Sequence, residues 1–102
     1  MDYRIIKSPS KGTIDILRGR ISPSFNIDIN NVDAIGLVQG KLIDMIYASD
    51  IAEKAVGVTV ADVKGSCPQN MILIGIFGDT SSVEAAISEI KAKMVKMKEG
   101  SI

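Results

Sequence analysis

Apolar residues in this chain come in short blocks cut apart by polar and Gly/Pro clusters, and the spacing inside each block predicts its conformation. Residues 3–7 (YRIIK) read as a small strand or a loose arm, closed by Ser8-Pro9-Ser10-Lys11-Gly12. Over residues 13–21 (TIDILRGRI), Ile14 and Ile16 fall on one face against Thr13, Asp15 and Leu17, which predicts a half-buried strand bent at Gly19. Residues 25–33 (FNIDINNVD) are dense in Asn and Asp and read as a linker. The unbroken apolar run 34–38 (AIGLV) predicts a strand covered on both faces. A helix follows over residues 42–56, stopped by Gly57, then a strand over 58–63 (VTVADV), a turn over 64–70 and the most apolar strand, 71–77 (MILIGIF).

The last block, from Ser81, carries the clearest local signals. Ser81 and Glu84 have capping-box spacing, while Val83, Ala86, Ile87, Ile90, Met94 and Met97 recur with helical period. Lys91, Lys93, Lys96 and Lys98 gather at the end where the helix dipole is negative. The predicted class is therefore α+β: an antiparallel-rich sheet with two helices packed on one face.

Composition narrows the chemistry. The 102 residues carry 12 Lys plus Arg against 12 Asp plus Glu and no His, which removes the usual general base at pH 7, the His-activated nucleophile pairs and imidazole metal sites. Asp44, Asp50, Asp62, Asp79, Glu84 and Glu89 show no spacing that suggests an acid–base couple, and Asp79 fits a helix N-terminus, so an enzyme is not expected. Zero net charge with no Trp, two Phe and two Tyr offers neither a phosphate-collecting field nor stacking faces, so no nucleic acid is expected as partner. One Cys forbids an internal disulfide and suits a reducing compartment. The longest apolar runs are too short to cross a bilayer and the N-terminus has no apolar signal core, so a cytoplasmic protein without a membrane partner is expected.

The strings AIGLVQGK (34–41), SDIAEKAVGV (49–58), KGSC (64–67) and IGIFGDTSSVEAAI (74–87), in this order, resemble the bacterial microcompartment shell domain. Ordinary members begin at the AIGLV strand and carry a further strand after the final helix. Here the corresponding strand is expected in front, at residues 13–21, so the chain is similar to the circularly permuted single-domain shell proteins. That resemblance implies an N-terminal arm or short strand (1–12), a permuted shell domain (13–98) and a C-terminal tail (99–102). It also makes residues 3–7 the candidate for a small barrel formed with symmetry mates over a central pore. The implied assembly is a cyclic homohexamer, a flat tile meeting other shell proteins edge to edge in the wall of a metabolic organelle that encloses enzymes.

The same resemblance gives residues roles. Lys54, four residues after Asp50, falls where the family's edge lysine lies across the contact between hexamers; the plainer reading is a solvated helix Lys paired with Asp50. Lys64, Gly65, Ser66, Cys67 and Pro68 fall in the pore loop, where Gly65 and Ser66 keep its small polar character and Cys67 and Pro68 depart from it. Copied around an axis, one thiol per chain becomes a ring. The GSCP string is similar to shell proteins of glycyl-radical-type microcompartments, which implies an iron-sulfur cluster shared between subunits through Cys67, breaking the sixfold symmetry or using three or four of the thiols, and serving either to transfer electrons across the shell or to hold and deliver clusters for enclosed enzymes. Two alternatives stay open: a metal-free pore that conducts small polar metabolites with Cys67 incidental, and a small-molecule-binding regulatory α+β domain.

Overall fold

A run such as AIGLV can face water on neither side, and the chain places it at the centre of a four-stranded sheet. In the computed structural model, which describes residues 1–23, 25, 28–65 and 71–100, the elements are β1 (Asp2–Lys7), α1 (Lys11–Arg18), a 3-10 turn (Ile29–Asn31), β2 (Ala34–Lys41), α2 (Leu42–Glu53), β3 (Val58–Val63), β4 (Met71–Gly78) and α3 (Thr80–Gly100). The sheet order is β1-β2-β4-β3, antiparallel throughout. The two most apolar strands are therefore the central pair, in register from Ala34 opposite Gly78 to Lys41 opposite Met71.

Alternation along the strands sends side chains to two separate cores. Val38, Val60, Ile74 and Ile76 point to one face, where α2 contributes Met45, Ala48, Ile51 and Ala52, and α3 contributes Val83, Ala86, Ile87, Ile90 and Met94. The helix-side approach is tight at Gly36, where a Cβ would lie 2.8 Å from Ile87 Cδ1 and 3.1 Å from Val83 Cγ1. Ile35, Ala61, Val63 and Phe77 point to the other face and meet Ile14, Leu17 and Ile29. The class is α+β with an antiparallel sheet, the two long helices share one face as the pattern predicts, and a third helix covers part of the other.

That third helix corrects the expectation of a strand over residues 13–21. Ser10 caps it, its Oγ accepting from the Thr13 N–H at 3.2 Å, and Lys11–Asp15 and Asp15–Arg18 pair along its surface. The buried residues are Ile14 and Leu17, three apart, whereas Ile16 is 65% exposed. A strand needs Ile14 and Ile16 on one face, but burial chose the helical period. Ile21 alone keeps strand character, as a single bridge to Val63.

The strand in front of AIGLV, expected at residues 13–21, is instead β1, which pairs with β2. Its register runs from Asp2 opposite Gln39 to Lys7 opposite Ala34, so residues 3–7 form a sheet edge of their own subunit rather than a free arm. Contacts to α3 hold it, with Lys7 Nζ 3.3 Å from Glu84 and Lys91 Nζ 5.0 Å from the centre of the Tyr3 ring.

The cap of α3 also differs from the expected Ser81–Glu84 box. Asp79 caps it, Oδ1 accepting from the Ser82 N–H at 2.9 Å and its carbonyl accepting from Val83 N–H at 3.0 Å. Ser81 and Ser82 hydroxyls donate to the same carboxylate, and these bonds, led by the Ser82 amide, hold Asp79 below its ordinary pKa of 3.8. Between α2 and β3 the chain turns at Gly57 with φ +84°, a conformation that removes helical continuation and favours glycine.

Candidate functional site

The loop between β3 and β4 starts where the edge ladder ends, at Val63 opposite Leu73. Lys64 and Gly65 are its described beginning; Ser66, Cys67 and Pro68, expected in the pore, lie outside the described residues. Lys64 is held from the segment after α1: its N–H donates to the Arg20 carbonyl at 2.8 Å, and the Arg20 guanidinium donates to its carbonyl at 3.1 Å. Around Gly65 the space is open, with nothing within 4 Å of an added Cβ. A hollow of about 470 Å3 beside the loop root is lined by Gln39, Asp62, Lys64, Gly65 and Met71 among others, bringing both charge signs to its wall. Among the described residues no three His, Cys, Asp or Glu side chains gather as a metal site. With one Cys in the sequence, a soft-metal centre fits only where several chains contribute a thiol.

The proposed edge pair lies at the opposite end of α2. Lys54 Nζ sits 2.8 Å from Asp50 Oδ2, with both side chains more than half exposed. The hydrogen bond to Asp50, then its charge, raises the Lys54 ammonium above its ordinary pKa of 10.5. A concavity of about 510 Å3 surrounds the pair, walled by Tyr47, Val56, Glu89 and Lys93. In the single subunit the geometry is that of a surface pair whose ammonium is already turned to its own helix.

One feature that sequence reasoning passed over is the outer face of α2. Leu42, Ile43 and Ile46 are 48%, 78% and 64% exposed, with half-exposed Tyr47 beside them and Val56 just beyond the helix. The signal was in the residues themselves: Leu42, Ile43, Met45, Ile46 and Tyr47 are too many apolar neighbours for one helix face, and a helix apolar all round is covered on both sides. The subunit covers only one.

Comparison with known proteins agrees with this frame. The BMC domain family matches residues 34–102, from β2 to the end of the chain. The ligand-free structure of the GrpU microcompartment shell protein from Clostridiales bacterium 1_7_47FAA is 55% identical, with 93% of each chain covered and a TM-score of 0.71. The ligand-free GrpU shell protein from Pectobacterium wasabiae is 29% identical over 88% of this chain and 99% of its own, with a TM-score of 0.70. A double-ringed trimeric shell protein of the RMM microcompartment shares the fold at 19% identity and TM-score 0.67, this chain spanning 46% of its length. No curated protein matches the chain significantly. No described helix is long and apolar enough to cross a membrane. A regulatory ligand-binding domain loses its footing against these matches. The chain belongs to the BMC-domain family and is a structural, non-enzymatic shell protein of a bacterial microcompartment, of the kind that assembles with other shell proteins into oligomeric tiles.

Proposed function

We propose that the tile is a cyclic homohexamer in which neighbouring chains cover the outer face of α2 and the six β3–β4 loops meet around the axis. The observation that carries this reading is the row Leu42, Ile43 and Ile46, an apolar surface that a lone subunit leaves in water and that repeated association removes from it. The Asp50–Lys54 end of α2 then lies at the rim, where the lysine stem packs along a neighbouring tile and its ammonium exchanges Asp50 for a partner's carbonyls. The position of β1 supports circular permutation, since it precedes the matched domain and fills the sheet edge beside β2.

Around the axis, Lys64, Gly65, Ser66, Cys67 and Pro68 of each chain line the opening, and three or four of the Cys67 thiolates hold an iron-sulfur cluster between subunits. Such a cluster supplies one-electron chemistry at the shell wall; the chain's own part is to present one thiolate per copy and to fix the loop that carries it. The support is the GSCP string in the loop that joins the paired strands β3 and β4. Iron and acid-labile sulfide in anaerobically purified protein test it. Both are expected in the wild type and lost in Cys67→Ser while the assembly mass stays the same; iron retained by Cys67→Ser, or absent from the wild type, contradicts the cluster and leaves a metal-free metabolite pore.

A further inference from the structure

We propose that Arg20 is a positioning residue for the β3–β4 loop, holding the entry of the loop through both polar backbone groups of Lys64. The inference rests on reading that loop as the pore loop, and it concerns what sets its conformation. β3 is an edge strand whose ladder to β4 ends at Val63 opposite Leu73, so Lys64 stands just past the paired part of the sheet. Arg20 supplies two partners: its carbonyl accepts from the Lys64 N–H at 2.8 Å and its guanidinium Nη1 donates to the Lys64 carbonyl at 3.1 Å. The single Ile21–Val63 bridge beside this clasp sets its register.

Arg20 is itself placed by a helix. Its N–H donates to the Leu17 carbonyl at 2.9 Å, and Leu17 and Ile14 are buried in the core with Phe77, Ala61 and Val63. The burial of α1 is thereby transmitted through Arg20 to Lys64, which precedes Gly65 and the open space around it. This segment lies outside the matched BMC domain, so the N-terminal third of the chain contributes to the root of the loop from beyond the matched span. Arg18, two residues earlier, pairs with Asp15 and Asn30 and serves as a control of equal charge.

The lone Cys67 reports on the loop directly. The rate of its alkylation by N-ethylmaleimide, measured against pH on reduced, metal-free, full-length protein, separates two effects: the plateau at high pH reads access to the thiolate, and the midpoint reads its charge environment. Arg20→Ala is expected to raise the plateau by about threefold or more, the change in local opening that follows loss of one exposed hydrogen bond. Arg20→Lys should return it toward wild type, because an ammonium still donates to the Lys64 carbonyl, and Arg18→Ala should leave it unchanged. A plateau in Arg20→Ala equal to wild type, or an equal rise in Arg18→Ala, overturns the assignment. Hydrogen exchange of the wild-type Lys64 amide tests it without substitution: protection comparable to Val63 is expected, and exchange at the unprotected rate overturns it. Neither measurement needs metal, so absence of a cluster, read from iron in the Cys67→Ser comparison, leaves this proposal standing or falling separately.

Discussion

Helices α2 and α3 lie on the same face of the same sheet, yet their outer surfaces differ in kind. On α3, Val83, Ala86, Ile87, Ile90 and Met94 are all buried, and among the described side chains its outside is mostly polar, with Lys93 paired to Glu89 at 3.4 Å. On α2, Met45, Ala48, Ile51 and Ala52 are buried just as well, but Leu42, Ile43 and Ile46 face outward. Among those described, Val95 is the exposed large apolar side chain on α3, whereas α2 leaves a row of three, the surface that the proposed assembly covers with another chain. A shell protein needs this division, because one helix must secure the fold while the other remains available for assembly.

The comparison breaks most visibly on α2. Ile43→Glu combined with Ile46→Glu is expected to abolish the assembly while each subunit keeps its helical circular dichroism, since these side chains contribute little to the isolated core. A ring that survives the pair of charges, read by sedimentation velocity, would show that α2 needs no cover. On α3 the reverse holds: Ile90→Ala, at a position with no exposure, should cost the subunit about 3 kcal/mol in urea denaturation at fixed protein concentration, by lost transfer energy and a cavity. Gly36→Val sharpens the same side, because the added Cβ would lie 2.8 Å from Ile87 Cδ1 and 3.1 Å from Val83 Cγ1, so these buried side chains must move to admit it; about 2 kcal/mol is expected from overpacking.

The smallest effect sits at the cap of α3. Asp79 has a folded pKa below its ordinary value, so its stabilising contribution is complete above pH 3.8 and is lost as the pH falls through that value toward the lowered one. Melting temperatures of wild type and Asp79→Ala should therefore differ by a small, constant amount near neutrality and converge in acid. A difference that persists undiminished below that range would assign the effect to something other than the charged cap.

Much of this architecture could be read directly from residue spacing, and the exceptions share one cause. AIGLV and MILIGIF announce β2 and β4 as runs apolar on both faces, and VTVADV announces the edge strand β3 through its three Val with polar Thr59 and Asp62 left outside. Residues 13–21 misled because Ile14 and Ile16 alternate, while Ser10 and the Ile14–Leu17 pair carried the helix, and only burial against Phe77 decides between the two periods. The capping box at Ser81 was displaced by Asp79 two residues earlier, whose carboxylate accepts from the Ser82 amide instead. Lys54 and Asp50 were identified as a pair from four-residue spacing, whereas the clasp of Arg20 on Lys64 spans 44 positions and has no local signature. The outer face of α2 was visible as surplus hydrophobicity, but surplus acquires meaning only once the sheet shows which side is already full.

The central claim is that this subunit is an incomplete object whose α2 surface closes against copies of itself. The mass of the native, full-length particle under anaerobic, non-denaturing conditions tests that claim most directly. A single species of six chains is the predicted result; a monomer or dimer at the same concentration would contradict it.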